Sequence, residues 1–131
     1  MKILILFLIL ATAACGADLN KVLTAIAAVE GNDPRAIGRA GERSRYQMCH
    51  RVWRAYTSAP FRRASTDERL AHEVAMTHLR VLRAVLIRQR IKATERNLAL
   101  AWTNGPYGMR RASAKKLDYA NRAATIASTL R

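Results

Sequence analysis

Glu30 is the residue whose setting best suits acid catalysis. It follows Leu19, Val22, Leu23, Ile26 and Val29, which recur at helical spacing and form one apolar stripe. Glu30 lies four residues after Ile26 and seven after Leu23, so it stands at the edge of that stripe. Gly31-Asn32-Asp33-Pro34 then ends the helix. A carboxyl at a helix C-terminus opposes the dipole, and apolar surroundings disfavour its charge. Both effects favour the protonated form that a general acid needs near neutral pH. The competing reading is ordinary: a charged side chain at the edge of a stripe commonly reaches into water.

A second carboxylate is scarce. Of nine acidic side chains, only Asp33 and Glu42 are loop residues close to Glu30 in the chain. Asp33 stands across a tight turn and is badly placed to face it, which leaves Glu42, otherwise a solvent-facing loop charge. Other chemistries lack their residues. His50, His72 and His78 have no Cys or His at metal-ligand spacing. Cys49 and His50 are adjacent and point apart on any regular element, and Cys49 reads as a small buried apolar residue. No glycine-rich phosphate loop appears, so the reading includes no metal and no cofactor.

The elements that would position these groups are mainly helices. The first runs from about Leu19 to Glu30, with Asp18 or Asn20 as its cap. Residues 31 to 48 are the least helical, punctuated by Gly31, Pro34, Gly38, Gly41 and Ser44, with Tyr46-Gln47-Met48 as a short strand or extended wall. A short helix is expected over His50 to Tyr56. The strongest helix signal follows Pro60, with Ser65 and Glu68 matching a capping box. It breaks between Ile87 and Thr94. Thr94 then caps a helix presenting Leu98, Ala101 and Trp102, and Asn104-Gly105-Pro106 stops it. Ser113 caps the last helix, with Tyr119, Ala123, Ile126 and Leu130 on one face. The expectation is a mainly α single domain whose β structure is at most a minor hairpin.

Met1 and Lys2 precede an unbroken apolar run from Ile3 to Leu10, followed by small residues. That run is too short for an ordinary membrane helix and reads as a signal peptide over residues 1–17, ahead of a domain over 18–131. Cleavage fits after Gly16 or Ala17. Thr12-Ala13-Ala14-Cys15 loosely resembles a lipoprotein box, which would make Cys15 a lipidated first residue and a membrane anchor. Export to the periplasm or the medium is expected. The domain beyond the leader, roughly 115 residues, suffices for one core. Its charge is strongly positive: 23 Lys and Arg stand against 9 Asp and Glu, a net of +14 for the whole chain. Such a surface is drawn to polyanions. The excess is nearly all arginine, which compositional bias could also supply.

One stretch carries a resemblance. From Ile26 the chain reads Ile-Ala-Ala-Val-Glu-Gly-Asn-Asp-Pro-Arg-Ala-Ile-Gly, then Arg-Ala-Gly-Glu-Arg-Ser-Arg-Tyr-Gln-Met. Ala101-Trp102-Thr103-Asn104-Gly105-Pro106 comes later, and Tyr119-Ala120-Asn121-Arg122 after it. In this order they resemble the catalytic core of the lytic transglycosylase and goose-type lysozyme-like superfamily, over about residues 19 to 125. The resemblance implies a lysozyme-like fold and cleavage of the MurNAc-GlcNAc β-1,4 bond of peptidoglycan. By it Glu30 matches the catalytic acid and Gln47 the glutamine that lines the cleft. Tyr46, Trp102 and Tyr119 match cleft or supporting positions, and either Thr103 or Asn104 faces the sugar. The chain departs from the pattern at Ser44, where glycine is usual, and at Gly31, where serine is.

The resemblance implies a single-carboxylate transglycosylase forming 1,6-anhydro ends; Glu42 keeps open a hydrolase that uses two carboxylates. The partner would be the glycan strands of the wall, bound by a monomer. A rival of another class is a non-catalytic cationic protein that binds wall or membrane and needs nothing of Glu30 or Gln47. Nucleic acid is the least favoured partner, because the basic residues are dispersed and no recognised binding motif appears.

Overall fold

The computed structural model describes residues 16–131. The leader expected over residues 1–17 and the lipidation expected at Cys15 fall almost wholly outside them.

The described residues are mainly helical. In chain order the helices are α1 (Leu19–Val29), α2 (His50–Tyr56), α3 (Glu68–Arg88), α4 (Glu95–Asn104) and α5 (Ala114–Thr129). Short 3-10 turns occupy Phe61–Ser65 and Met109–Arg111. The caps explain the boundaries. The Asp18 side chain accepts from the amides of Asn20 and Lys21, Thr94 from Asn97 and Ser113 from Lys116, so each occupies orphan donors at a helix start. The capping box expected at Ser65 is not formed. Ser65 lies buried in the preceding 3-10 turn, its hydroxyl bonded to Arg43 and to the Arg62 carbonyl. Asp67 caps α3 instead, accepting from the Leu70 amide at 3.0 Å.

Two helices end in the same six-to-one motif. After α1 the Asn32 amide donates to the Ala27 carbonyl and Gly31 to Ala28; after α3 Ile91 donates to Leu86 and Arg90 to Ile87. The motif needs a left-handed residue just past the cap, and Gly31 supplies it at φ 95° with no steric cost. This accounts for a glycine directly after Glu30. At the end of α3 the same position is Arg90, at φ 60°.

The core follows from the apolar stripes. Leu19, Val22, Leu23 and Ile26 of α1 pack with Trp53, with Val74, Leu79, Leu82 and Leu86 of α3, and with Leu98 of α4. Burying each such side chain contributes about 2 kcal/mol. A second cluster is built from small residues: Ala25, Ala99, Ala120, Ala123 and Ala127 surround Leu100 and Tyr119. Alanine at those positions lets α5 lie close against α1 and α4, its two main partners. The segment between α1 and α2 forms no strand. Arg43 bridges antiparallel to both Ile37 and Met48, which folds the chain into two tight turns. Left-handed residues at Gly41, Ser44 and Gln47 make those turns possible.

Candidate functional site

α1 delivers Glu30 to the site as its C-cap residue, one position beyond the last helical turn. Its backbone amide still donates to the Ile26 carbonyl at 3.0 Å, so the helix holds the backbone from which the side chain leaves. The residue is half-buried. Burial raises the carboxyl's pKa above the ordinary glutamate range, and the negative charge of Glu42 raises it further. Tyr119 and the Arg122 guanidinium act in the opposite direction and favour the ionised form, but burial prevails.

Tyr119 comes from the middle of α5, buried where that helix meets α1 and α4. Its hydroxyl stands close enough to Glu30 to interact with it, yet it meets no acceptor at hydrogen-bond geometry. The pair is a proximity rather than a formed bond. A buried phenol without a partner is costly, and the adjacent Glu30 carboxylate holds its pKa far above the usual phenol value, second only to burial itself. Arg122, one helical turn after Tyr119, pairs with Asp118 at 3.0 Å and lends its charge to the same region. The i, i+3 spacing from Tyr119 is the sequence signal that marks Arg122 as a site neighbour.

Glu42 and Gln47 approach from the loop. Glu42 Oε2 accepts the Ala40 amide at 3.1 Å, which holds the carboxylate back over its own turn. Gln47 Nε2 donates to the Ser44 carbonyl at 2.9 Å. The two side-chain tips converge on Gly38, where a Cβ would collide with Glu42 Oε2 and Gln47 Oε1. Gly38 thus works through the side chain it lacks, a role its sequence position as loop punctuation does not reveal. Ser44 stands in left-handed backbone at φ 75° and is buried, its hydroxyl accepting the Tyr46 amide at 3.2 Å. A glycine would adopt that backbone freely; serine holds it through the hydrogen bond.

Tyr46 and Trp102 sit in support of this loop. Tyr46 is buried, and its hydroxyl shares a 3.1 Å hydrogen bond with His72 Nδ1 on α3. The Trp102 indole donates to the Tyr46 carbonyl at 3.2 Å and its ring packs against His78. Thr103 is half-buried, and Asn104 closes α4 with its Oδ1 accepting from Lys116 Nζ at 3.0 Å. The structure therefore gathers Glu30, Glu42, Tyr119 and Arg122 into one electrostatic group. Gln47 reaches it through Gly38, and Tyr46 and Trp102 form the scaffold behind.

A groove of about 420 Å³ runs between the end of α1 and α5, lined by Ala28, Val29, Asn121, Arg122, Thr125 and Ile126. Glu30 follows directly on Val29 and stands beside this groove, not at its floor. Among the described residues, no three His, Cys, Asp or Glu side chains come together to hold a metal ion. Cys49, expected to be buried, is exposed, because it takes the N-cap position of α2 outside the core. Comparison of the chain with protein-family models, with curated proteins and with solved structures found no match.

Proposed function

We propose that the chain cleaves the β-1,4 bond between N-acetylmuramic acid and N-acetylglucosamine of peptidoglycan as a lytic transglycosylase, with Glu30 as its catalytic carboxyl. The observation that carries this is one carboxyl, half-buried at the end of α1, held toward its protonated form beside an unpartnered buried phenol. Such a group can donate a proton and then bear the charge left behind. Glu30 gives its proton to the glycosidic oxygen as the bond to the muramoyl C1 breaks. The carboxylate that forms finds the Tyr119 hydroxyl and the Arg122 charge within reach, both of which favour it. The muramoyl 6-hydroxyl then attacks C1 and returns its proton to Glu30, closing a 1,6-anhydro ring. No water is consumed and no cofactor enters.

A second reading is hydrolysis, and the position of Glu42 favours it. Its charge raises the Glu30 pKa, and this reading makes Glu42 the carboxylate that activates water, as in two-carboxylate glycosidases. Digested glycan separates the two. Anhydro ends are lighter than hydrolysed ends by one water and resist borohydride reduction; fully reducible ends would make water the acceptor.

Glu30→Gln tests the acid itself. Glutamine keeps the size but has no acid proton, so wall digestion should fall by about 100-fold or more, with the melting temperature nearly unchanged. Digestion at the parent rate would remove Glu30 from the mechanism. A parent protein that binds walls and cuts none would leave a non-catalytic cationic wall binder.

A further inference from the structure

The far end of α3 carries a feature that wall cutting does not use. Between Glu73 and Glu95 the chain has no acidic residue, and it carries Arg80, Arg83, Arg88, Arg90 and Lys92. Arg80, Arg88, Arg90 and Lys92 are exposed, and among the described residues none of them pairs with a carboxylate. Aliphatic side chains lie among these cations. Val81 is 42% and Ile87 61% exposed, large values for such residues. Ala84, also exposed, stands between them. Spaced by three, they follow one row along the helix surface, and Arg80 and Arg88 stand next to its two ends.

The start of the domain meets this row. Gly16 and Ala17 line an open groove together with Ile87, Lys92, Ala93, Thr94 and Glu95. Gly16 is also where the chain connects back, through a short stretch of small residues, to the apolar run Ile3 to Leu10. Before any cleavage of the leader, the most apolar segment of the sequence therefore joins the chain at the edge of the patch that has exposed aliphatics and unpaired cations. Glu95 is the only carboxylate at this groove.

We propose that the face formed by Arg80, Val81, Ile87, Arg88, Arg90 and Lys92 docks on an anionic phospholipid bilayer. Guanidinium groups match lipid phosphate in geometry and charge, and aliphatic tips among cations reach the boundary between headgroups and acyl chains. Basic residues beside a membrane-proximal segment are attracted to anionic leaflets. A dissolved polyanion would use the cations but gain nothing from Ile87 and Val81, so the aliphatic row is what selects a bilayer. The docked orientation also suits the site. Gly16 lies just before the start of α1 and Glu30 caps its end, about 16 Å of helix away.

The test uses protein purified from cells expressing the full 131-residue chain, sedimented with vesicles of two kinds. One kind contains phosphatidylglycerol with phosphatidylethanolamine, the other phosphatidylcholine alone. The readout is the ratio of the two affinities, compared between parent and variants, all of which carry the same leader charges at Met1 and Lys2 if the leader is retained. The parent should favour anionic vesicles by at least about tenfold, and each cation removed from the face should cost roughly fivefold. Arg80→Glu with Arg88→Glu should abolish the preference. Arg62→Glu with Arg69→Glu, the same charge reversal near the other end of α3, should leave it within about threefold. Ile87→Ser should weaken anionic binding several-fold without lowering the melting temperature. If the Glu pair destabilises the fold, Arg80→Gln with Arg88→Gln gives the same ordering with a smaller loss. A parent ratio near one, equal losses from the two reversed pairs, or no effect of Ile87→Ser would each overturn the proposal.

Discussion

At the scale of single residues, Glu30 is caught between opposing influences, and their signs can be measured. Burial and Glu42 raise its pKa; Tyr119 and Arg122 lower it. A general acid acts only while protonated, so under the proposed role wall cleavage should decline as pH rises through that raised value. The decline should lie above the ordinary carboxylate range. Glu42→Gln removes a raising influence and should move the decline to lower pH. Tyr119→Phe removes a lowering one and should move it to higher pH, at little cost in stability because the hydroxyl has no partner to lose. The pH profiles of the two variants, measured on the same wall substrate, should bracket that of the parent. A Glu42→Gln protein that cuts nothing at any pH would instead make Glu42 a participant that activates water, and its role in tuning Glu30 would be secondary.

Between residue and domain, the loop and the helix ends decide what reaches the site. Gly38→Ala should separate stability from function. The nearest atoms its Cβ would meet are the tips of Glu42 and Gln47, and flexible ends can move aside, so the fold should change by no more than about 1 kcal/mol. Both tips would be displaced, however, and wall digestion should fall on the order of tenfold to a hundredfold. Unchanged digestion with unchanged melting would mean that neither tip is placed for catalysis. Arg90→Gly addresses the end of α3: relieving a left-handed arginine at an exposed cap should stabilise by about 0.5 to 1 kcal/mol in thermal melts. α1, α4 and α5 were legible in the sequence because each joins an apolar stripe to a local cap, at Asp18, Thr94 and Ser113. Ser65 misled because a capping-box pattern cannot reveal that a preceding 3-10 turn has already taken the hydroxyl. The loop was illegible for a deeper reason. Arg43 pairs with residues on both sides of it, and Ser44 and Gln47 adopt left-handed backbone that their residue types do not announce. Glu30 could be chosen from its place on a stripe, whereas the convergence of Glu42 and Gln47 on Gly38 depends on that loop and stayed hidden.

For the molecule as a whole, the scaffold behind the site ties stability to pH through one histidine. His78 lies on α3 among aromatic groups. Its Nδ1 shares a 2.9 Å hydrogen bond with the Tyr56 hydroxyl, and its ring packs on Tyr56 and Trp102. Burial lowers its pKa to about 4, against about 6.5 for a histidine in the unfolded chain. The depressed value fixes the sign. Above about pH 6.5 both states are neutral at this position and the fold keeps its full stability. As pH falls from there toward 4, the unfolded chain takes up a proton that the native protein refuses, and stability is lost. The loss approaches roughly 3 kcal/mol at the low end of that window, which for a domain of this size lowers the melting temperature on the order of 10 °C. His78→Phe keeps a ring against Trp102 and removes the titration. It should be less stable than the parent near neutral pH, because Tyr56 loses its partner. Its melting temperature should then vary much less between pH 6.5 and 4, so that the two curves converge in acid. Parallel curves for parent and variant across that window would show that the acid sensitivity resides elsewhere, and that α3 and Trp102 hold the loop over the site without a titrating group between them.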